Sequence, residues 1–169
     1  KMPEKTARTF VDGWVHTGDI ARVDDDGFMY ITGRVKDYFK TIHGKFVAPY
    51  AIEDAFADNR WVDQQCLLGR GYSKTVIVCV LSGEALQQDR ADLEKDLRAQ
   101  VEEVNGTVEK HARIGAVIVS PETWTIENLM LTPTLKIKRD EVEMRYGDRA
   151  RALAHHAAVQ SELLVEWDE

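Results

Sequence analysis

The side chains with chemical potential fall into three short segments. The first is Gly13-Trp14-Val15-His16-Thr17-Gly18-Asp19. The second runs from Gly33-Arg34-Val35-Lys36-Asp37-Tyr38-Phe39-Lys40 through Gly44 and Pro49 to Ile52-Glu53. The third is Leu131-Thr132-Pro133-Thr134-Leu135-Lys136-Ile137-Lys138-Arg139. A lysine ammonium is a compact point charge with three donors, suited to steadying an anion where charge builds up. Lys136 and its near neighbour Lys138 are the candidates for that work. An aspartate offers two acceptor oxygens that can take a pair of hydroxyls. Asp19 could do this, although its local sequence, after Gly18, reads first as a turn-capping aspartate. Arg34 reads either as an anion contact or as half of a surface ion pair. Gly44, lacking a side chain, lets a backbone or a ligand approach closely.

Composition narrows the classes. The 169 residues suffice for one good core or two small ones, since a folded chain of this size buries about 70% of its unfolded surface. With 44% hydrophobic and 30% charged residues the chain reads as an ordinary globular protein. A net charge of −7 argues against a nucleic-acid partner, but leaves room for a local basic cluster to hold phosphate. Cys66 and Cys79 lie in apolar runs and read as reduced core residues, and no CxxC pair or metal-ligand spacing is present. The longest apolar run, Val76 to Leu81, is too short to cross a bilayer. No secretory signal is visible, so a cytoplasmic location is the expectation, with peripheral membrane association open for a full-length protein. The chain starts at Lys1 rather than Met, so preceding residues are expected.

These groups need an α+β framework to position them. Asp12-Gly13 and Asp24-Asp25-Asp26-Gly27 are turn signals. The second turn joins a short strand, Ile20 to Val23, to a return strand, Phe28 to Thr32. Gly33 to Gly44, rich in basic residues and glycine, reads as a linker and a domain boundary. Beyond it, Pro49 suits the first turn of a helix that carries Ile52, Ala55 and Phe56 on one face. Val62 to Leu68, Thr75 to Leu81 and Ile114 to Val119 read as strands. Residues 90–105 read as a helix with Leu93, Leu97, Val101 and Val104 inward, capped by Asp89. Residues 140–146 and 148–166 are expected to be helical. Ala150, Leu153, Ala157, Ser161 and Leu164 would face either the domain or an oligomer partner. The fold class is therefore α+β: a small domain with a central three-stranded sheet flanked by helices, preceded by a β-hairpin segment.

In this order and spacing the three segments resemble the last three signature regions of the adenylate-forming superfamily. That superfamily includes AMP-forming acyl-CoA synthetases, firefly-type luciferases and peptide-synthetase adenylation domains. The resemblance covers about residues 8–146. It implies a two-step reaction, in which a carboxylate attacks the α-phosphate of ATP and a thiol then displaces AMP from the acyl-adenylate. It implies that Lys136 is the catalytic lysine of a Gly-Lys-x-x-Arg ending in which Leu135 replaces the glycine. It implies that Asp19 holds the ribose and that Arg34 contacts the nucleotide. Lys36 matches the hinge position, where the family has Asp or Lys, and the loop from Lys40 to Pro49, with Gly44, matches the wall of the CoA tunnel. ATP and CoA are the implied cofactors, with Mg2+ accompanying ATP.

The resemblance also divides the chain. Residues 1–35 would end a large adenylation domain, 36–146 would form a mobile C-terminal lid, and 147–169 would be a helical extension. The main partner is then the protein's own N-terminal adenylation domain, which supplies the phosphate loop and acid pocket, and the chain alone should be inactive. The motifs look closest to fatty-acyl-CoA ligases acting on medium- or long-chain acids. Two alternatives stay open: an adenylation domain of peptide-synthetase type that loads a carrier protein, and a non-catalytic interaction module of the same fold. Trp14 is expected in a core, Arg70 and Lys74 at a solvated basic turn, and His155-His156 on divergent helix faces that cannot share a metal. Phe39 and His43 read as packing or solvent-facing residues of their loop.

Overall fold

The structure is a computed structural model and describes residues 2–168, the side chain of Lys5 excepted. The chain divides into two compact units, residues 1–38 and 39–169.

In the first unit a helix, α1 (Pro3–Thr9), leads into two small hairpins. Strands β1 (Phe10–Val11) and β2 (Trp14–Val15) pair antiparallel across Asp12-Gly13. Asp12 and Gly13 have φ of 51° and 81°, the positive pair that a tight two-residue hairpin turn demands. Strands β3 (Asp19–Val23) and β4 (Met29–Arg34) form the larger hairpin. Its turn is locked by Asp24, whose Oδ1 accepts the amides of Asp26 and Phe28 at 3.1 and 2.9 Å. A register shift between Ile20 and Ala21 leaves Thr32 as the extra residue of a bulge. Trp14 is not a core residue of this unit: it is 75% exposed, because two-residue strands offer no second layer to pack against.

The second unit begins with a narrow hairpin, β5 (Phe39–Lys40) and β6 (Phe46–Val47), followed by helix α2 (Pro49–Phe56). Strands β7 (Val62–Leu68) and β8 (Thr75–Leu81), helix α3 (Arg90–Thr107), strand β9 (Ile114–Ser120), helix α4 (Arg139–Gln160) and strand β10 (Leu164–Trp167) complete it. The sheet order is β10-β9-β8-β7. β7 is antiparallel to β8, and β8, β9 and β10 run parallel.

Both faces of this sheet are covered, which explains why β8 and β9 are apolar at nearly every position. Ile77, Cys79 and Leu81 face one core with Ile52, Phe56, Leu93, Leu97 and Val101. Val76, Val78 and Val80 face the other with Trp124, Val142, Tyr146, Ala150 and Ala154. The four inward positions of α3 are those its periodicity predicts, and Asp89 caps the helix by accepting the amide of Ala91 at 2.8 Å.

The C-terminal part differs from expectation. The sheet has four strands rather than three, and residues 139–160 form one continuous helix. Gly147, the position between the two expected helices, sits inside α4, where its carbonyl oxygen accepts the Tyr72 hydroxyl at 3.0 Å. A side chain there would meet that hydroxyl at 3.5 Å and the Glu143 carboxylate at 3.3 Å. The helix stops at Ser161, in the left-handed region with φ 56°. Residues 164–167 then join the sheet as its edge instead of extending the helix. Charge and aromatic contacts hold this strand. Arg149 is ion-paired with Glu166 and Asp168, Arg98 donates to the Leu163 carbonyl at 2.6 Å, and Arg90 lies over the Trp167 ring. The small side chains Ala150, Ala154 and Ala157 dock α4 on its own sheet. Among the described residues no helix is long and apolar enough to cross a membrane.

Candidate functional site

The first unit brings two of the sequence-predicted groups together. Asp19 opens β3 and Arg34 closes β4, and the two are directly opposed in the hairpin register. Arg34 Nε lies 3.0 Å from Asp19 Oδ1, and its second guanidinium arm donates to the Thr17 carbonyl at 3.0 Å. Thr17 also accepts the Asp19 amide through Oγ1 at 3.2 Å, and the Val35 amide returns to the Gly18 carbonyl at 2.9 Å. Gly18 turns the chain with φ 79°. The side chains are 32% and 48% exposed for Asp19 and Arg34, so the pair adds under about 1 kcal/mol of stability. Its effect is orientation. One carboxylate oxygen is engaged, and the other keeps acceptor capacity for a ligand hydroxyl.

Lys36 is exposed in a single 3-10 turn, Val35–Asp37, that ends the unit after β4. Its flanking residues Arg34 and Tyr38 are extended.

In the second unit, Lys40 and Gly44 lie on the β5–β6 hairpin. Gly44 has φ 72°, its amide donates to the Thr41 carbonyl at 3.0 Å, and a side chain built there would meet nothing within 4 Å. The Lys40 ammonium rests 4.7 Å from the centre of the exposed Phe46 ring. The hairpin is anchored to the turn after β7: the Gly71 amide donates to the Lys40 carbonyl at 2.8 Å, and Ile42 donates to Tyr72 at 3.0 Å. Phe39 is buried at its root, and His43 is exposed. The loop is thus fixed at its base and open at its tip.

Lys136 stands on a second stapled turn. Leu131 and Ile137 bridge as an antiparallel pair. The Thr132 amide donates to the Lys136 carbonyl at 2.8 Å, and the Lys136 amide donates to Thr132 Oγ1 at 3.0 Å. The Lys136 side chain is exposed and enters no ion pair among the described residues. A hydrogen-bonded turn with an exposed ammonium suits a point charge that must meet a ligand. Lys138, the competitor, is half-buried at the N-cap of α4.

Two residues of these segments have a structural part that sequence reasoning did not assign. Arg139, last of the third segment, lies 2.8 Å from the Glu53 carboxylate and donates to the Leu67 carbonyl at 2.7 Å. Glu53 in turn accepts the Leu67 amide at 2.6 Å. The third and second segments are therefore joined through one ion pair on the end of β7. The available signal was a helix glutamate and a basic residue at the ends of two functional segments. Among the described residues no group of three or more His, Cys, Asp or Glu side chains is placed to hold a metal ion.

A family model described as the AMP-binding enzyme C-terminal domain matches residues 36–157. The chain belongs to that family. It is 38% identical, over 88% of its length, to a medium/long-chain-fatty-acid–CoA ligase of Mycobacterium tuberculosis, of which it covers 25%. It is 31% identical, over 90% of its length, to long-chain-fatty-acid–CoA ligase 5 of Rattus norvegicus, again covering 25% of that protein. The chain thus spans about a quarter of the length of the curated relatives it matches. Among solved structures, the adenylation domain of a carboxylate reductase from Mycobacterium chelonae superposes with a TM-score of 0.79 at 28% identity, over 92% of this chain and 25% of that one. The A-PCP didomain of a carboxylic acid reductase from Segniliparus rugosus, in complex with AMP, gives 0.76 at 30% identity over 95% and 24%.

Proposed function

We propose that the chain is the C-terminal part of an ATP-dependent, AMP-forming fatty-acid–CoA ligase. The observation that carries this reading is Lys136: a free ammonium on a stapled turn, in a chain whose family and relatives are adenylate-forming. In the first half-reaction a carboxylate oxygen bonds to the α-phosphorus of ATP as pyrophosphate leaves. Lys136 steadies the charge on the transferring group. Asp19, braced by Arg34, holds the ribose hydroxyls, and Arg34 keeps one arm toward the nucleotide. In the second half the CoA sulfur bonds to the acyl carbon and AMP departs. A rotation at Lys36 would exchange Lys136 for the Lys40–Gly44 loop, whose bare glycine tip leaves room for the pantetheine arm. Mg2+ would accompany ATP in the full-length protein.

The phosphate loop and acid pocket would lie on the N-terminal adenylation domain, so the chain alone should be inactive. The relatives' names support a medium- or long-chain fatty acid as the substrate. The test is Lys136→Ala in the full-length protein. Adenylate formation should fall about 100-fold or more, while thioester formation from supplied acyl-adenylate is largely spared. Equal loss in both halves would overturn the role of Lys136.

A second reading is an adenylation domain that loads a carrier thiol. It is favoured by the likeness to the carboxylic acid reductase A-PCP didomain. A carrier domain with its phosphopantetheine serine, encoded after residue 169 in the parent gene, would select it. A non-catalytic module would be excluded by turnover on mixing this chain with a separately made N-terminal domain.

A further inference from the structure

Leu135 is an outlier. It has φ 59°, in the left-handed region, and its side chain is 70% exposed. Left-handed backbone is unfavourable for a non-glycine residue, because its Cβ crowds the following carbonyl oxygen. The turn itself does not need a leucine side chain: its bonds run through the Leu135 amide to the Thr132 carbonyl at 2.9 Å and through the two threonine hydroxyls. The side chain belongs to neither core of the second unit. A glycine would make the same turn without strain. Strain held by an apolar side chain that its own domain does not use points to use outside the domain.

The neighbour gives the place. Adjacent Cα atoms are about 3.8 Å apart, so the Leu135 side chain travels with Lys136 wherever that lysine is delivered. We infer that Leu135 is a positioning and sealing residue for adenylation, packing against the large adenylation domain beside the acyl-adenylate and excluding water from it. This rests on the ligase reading proposed above. Without such a seal, a water oxygen bonds to the acyl carbon as its link to the AMP phosphate breaks, returning free acid and AMP without a thioester. A dry, apolar lid beside the lysine also strengthens the attraction between its ammonium and the phosphate.

The variant that tests this is Leu135→Gly, because the two effects have opposite signs. In this 169-residue chain it should raise the melting temperature by about 2–8 °C, by removing the left-handed penalty. In the full-length protein it should raise AMP release in the absence of CoA about tenfold or more, the scale of losing one buried leucine contact. Leu135→Met should restore tight coupling. Leu129 is a matched control: it too is an exposed leucine with positive φ, 66°, six residues earlier. Leu129→Gly should leave AMP release unchanged. Unchanged AMP release in Leu135→Gly would overturn the inference, and so would an equal rise in both glycine variants, which would report a loosened loop. The ligase reading is checked separately in the same assay by Lys136→Ala. If the unaltered full-length protein forms no acyl-adenylate from any fatty acid tried, the ligase reading falls and the inference falls with it.

Discussion

Arg139 and Glu53 are paired at 2.8 Å, and through them the start of α4 is tied to α2 and to the end of β7. The turn bearing Lys136 runs directly into Arg139, and the hairpin bearing Gly44 runs into the helix that carries Glu53. One ion pair thus sets the bases of the two loops proposed to take turns at the reaction centre.

Their side chains are 24% and 14% exposed. Removing one partner strands the other in a poorly hydrated place. Arg139→Ala should cost about 3 kcal/mol in urea unfolding of the chain. Glu53→Gln should cost less, since the amide oxygen can still accept the Leu67 amide. A loss below about 1 kcal/mol for Arg139→Ala would place the pair among ordinary surface contacts.

Asp19→Ala separates ligand binding from folding. Its ion pair with Arg34 is half exposed, so the melting temperature should hardly move. In the full-length protein, losing a charged acceptor for ribose should weaken nucleotide binding about 10- to 100-fold. Calorimetric titration of AMP checks the second number, and a thermal melt checks the first.

Gly44 has φ 72° in a tip with free space around it. Gly44→Val should therefore cost roughly 1–2 kcal/mol from backbone conformation alone. In the full-length protein it should slow thioester formation from supplied acyl-adenylate while leaving adenylation near its original rate. Loss of adenylation instead would remove this loop from the thiol half.

Burial pushes the Cys79 thiol up to about 12 from an ordinary 9.0. The sign follows from which state can ionise. Below pH 9 both states are protonated and nothing is lost. Between pH 9 and 12 the unfolded thiol sheds its proton and the folded one does not, so stability falls as pH rises, by on the order of 1 kcal/mol per pH unit. Tyr72, raised by burial and then by its hydrogen bond to Glu143, adds to the fall above pH 10. Cys79→Val should flatten the alkaline limb of a stability–pH curve, and an unchanged slope would contradict the thiol's part in it.

Local patterning made most of the second unit legible. The strands Val62–Leu68 and Thr75–Leu81 and the inward face of α3 follow from apolar runs and 3.6-residue spacing. Asp19, Arg34 and Lys136 stand out as candidates by their types and order, and the hairpin register pairs the first two. What escaped depends on contacts distant in sequence. Residues 148–166 carry an alanine-rich helical bias, yet Leu164–Trp167 gain a ladder against β9 and charge contacts from Arg149 that local propensity does not report. Residues 140–146 and 148–166 read as separate helices, yet α4 runs through Gly147, whose carbonyl accepts a bond from Tyr72, distant in sequence. The Arg139–Glu53 pair joins positions 86 residues apart, beyond the reach of any periodicity.

The β10 strand has a consequence for biosynthesis. A ribosome delivers β7, β8 and β9 first, and the strand that closes the β9 edge comes only after all of α4. Until Leu164–Trp167 emerges, the nascent sheet carries a bare row of amides and carbonyls along β9, open to pairing with other chains. The acidic residues Glu166 and Asp168, caught by Arg149, then fasten that edge. Lesions in this last stretch should appear first as lost soluble yield during expression, before any turnover number changes.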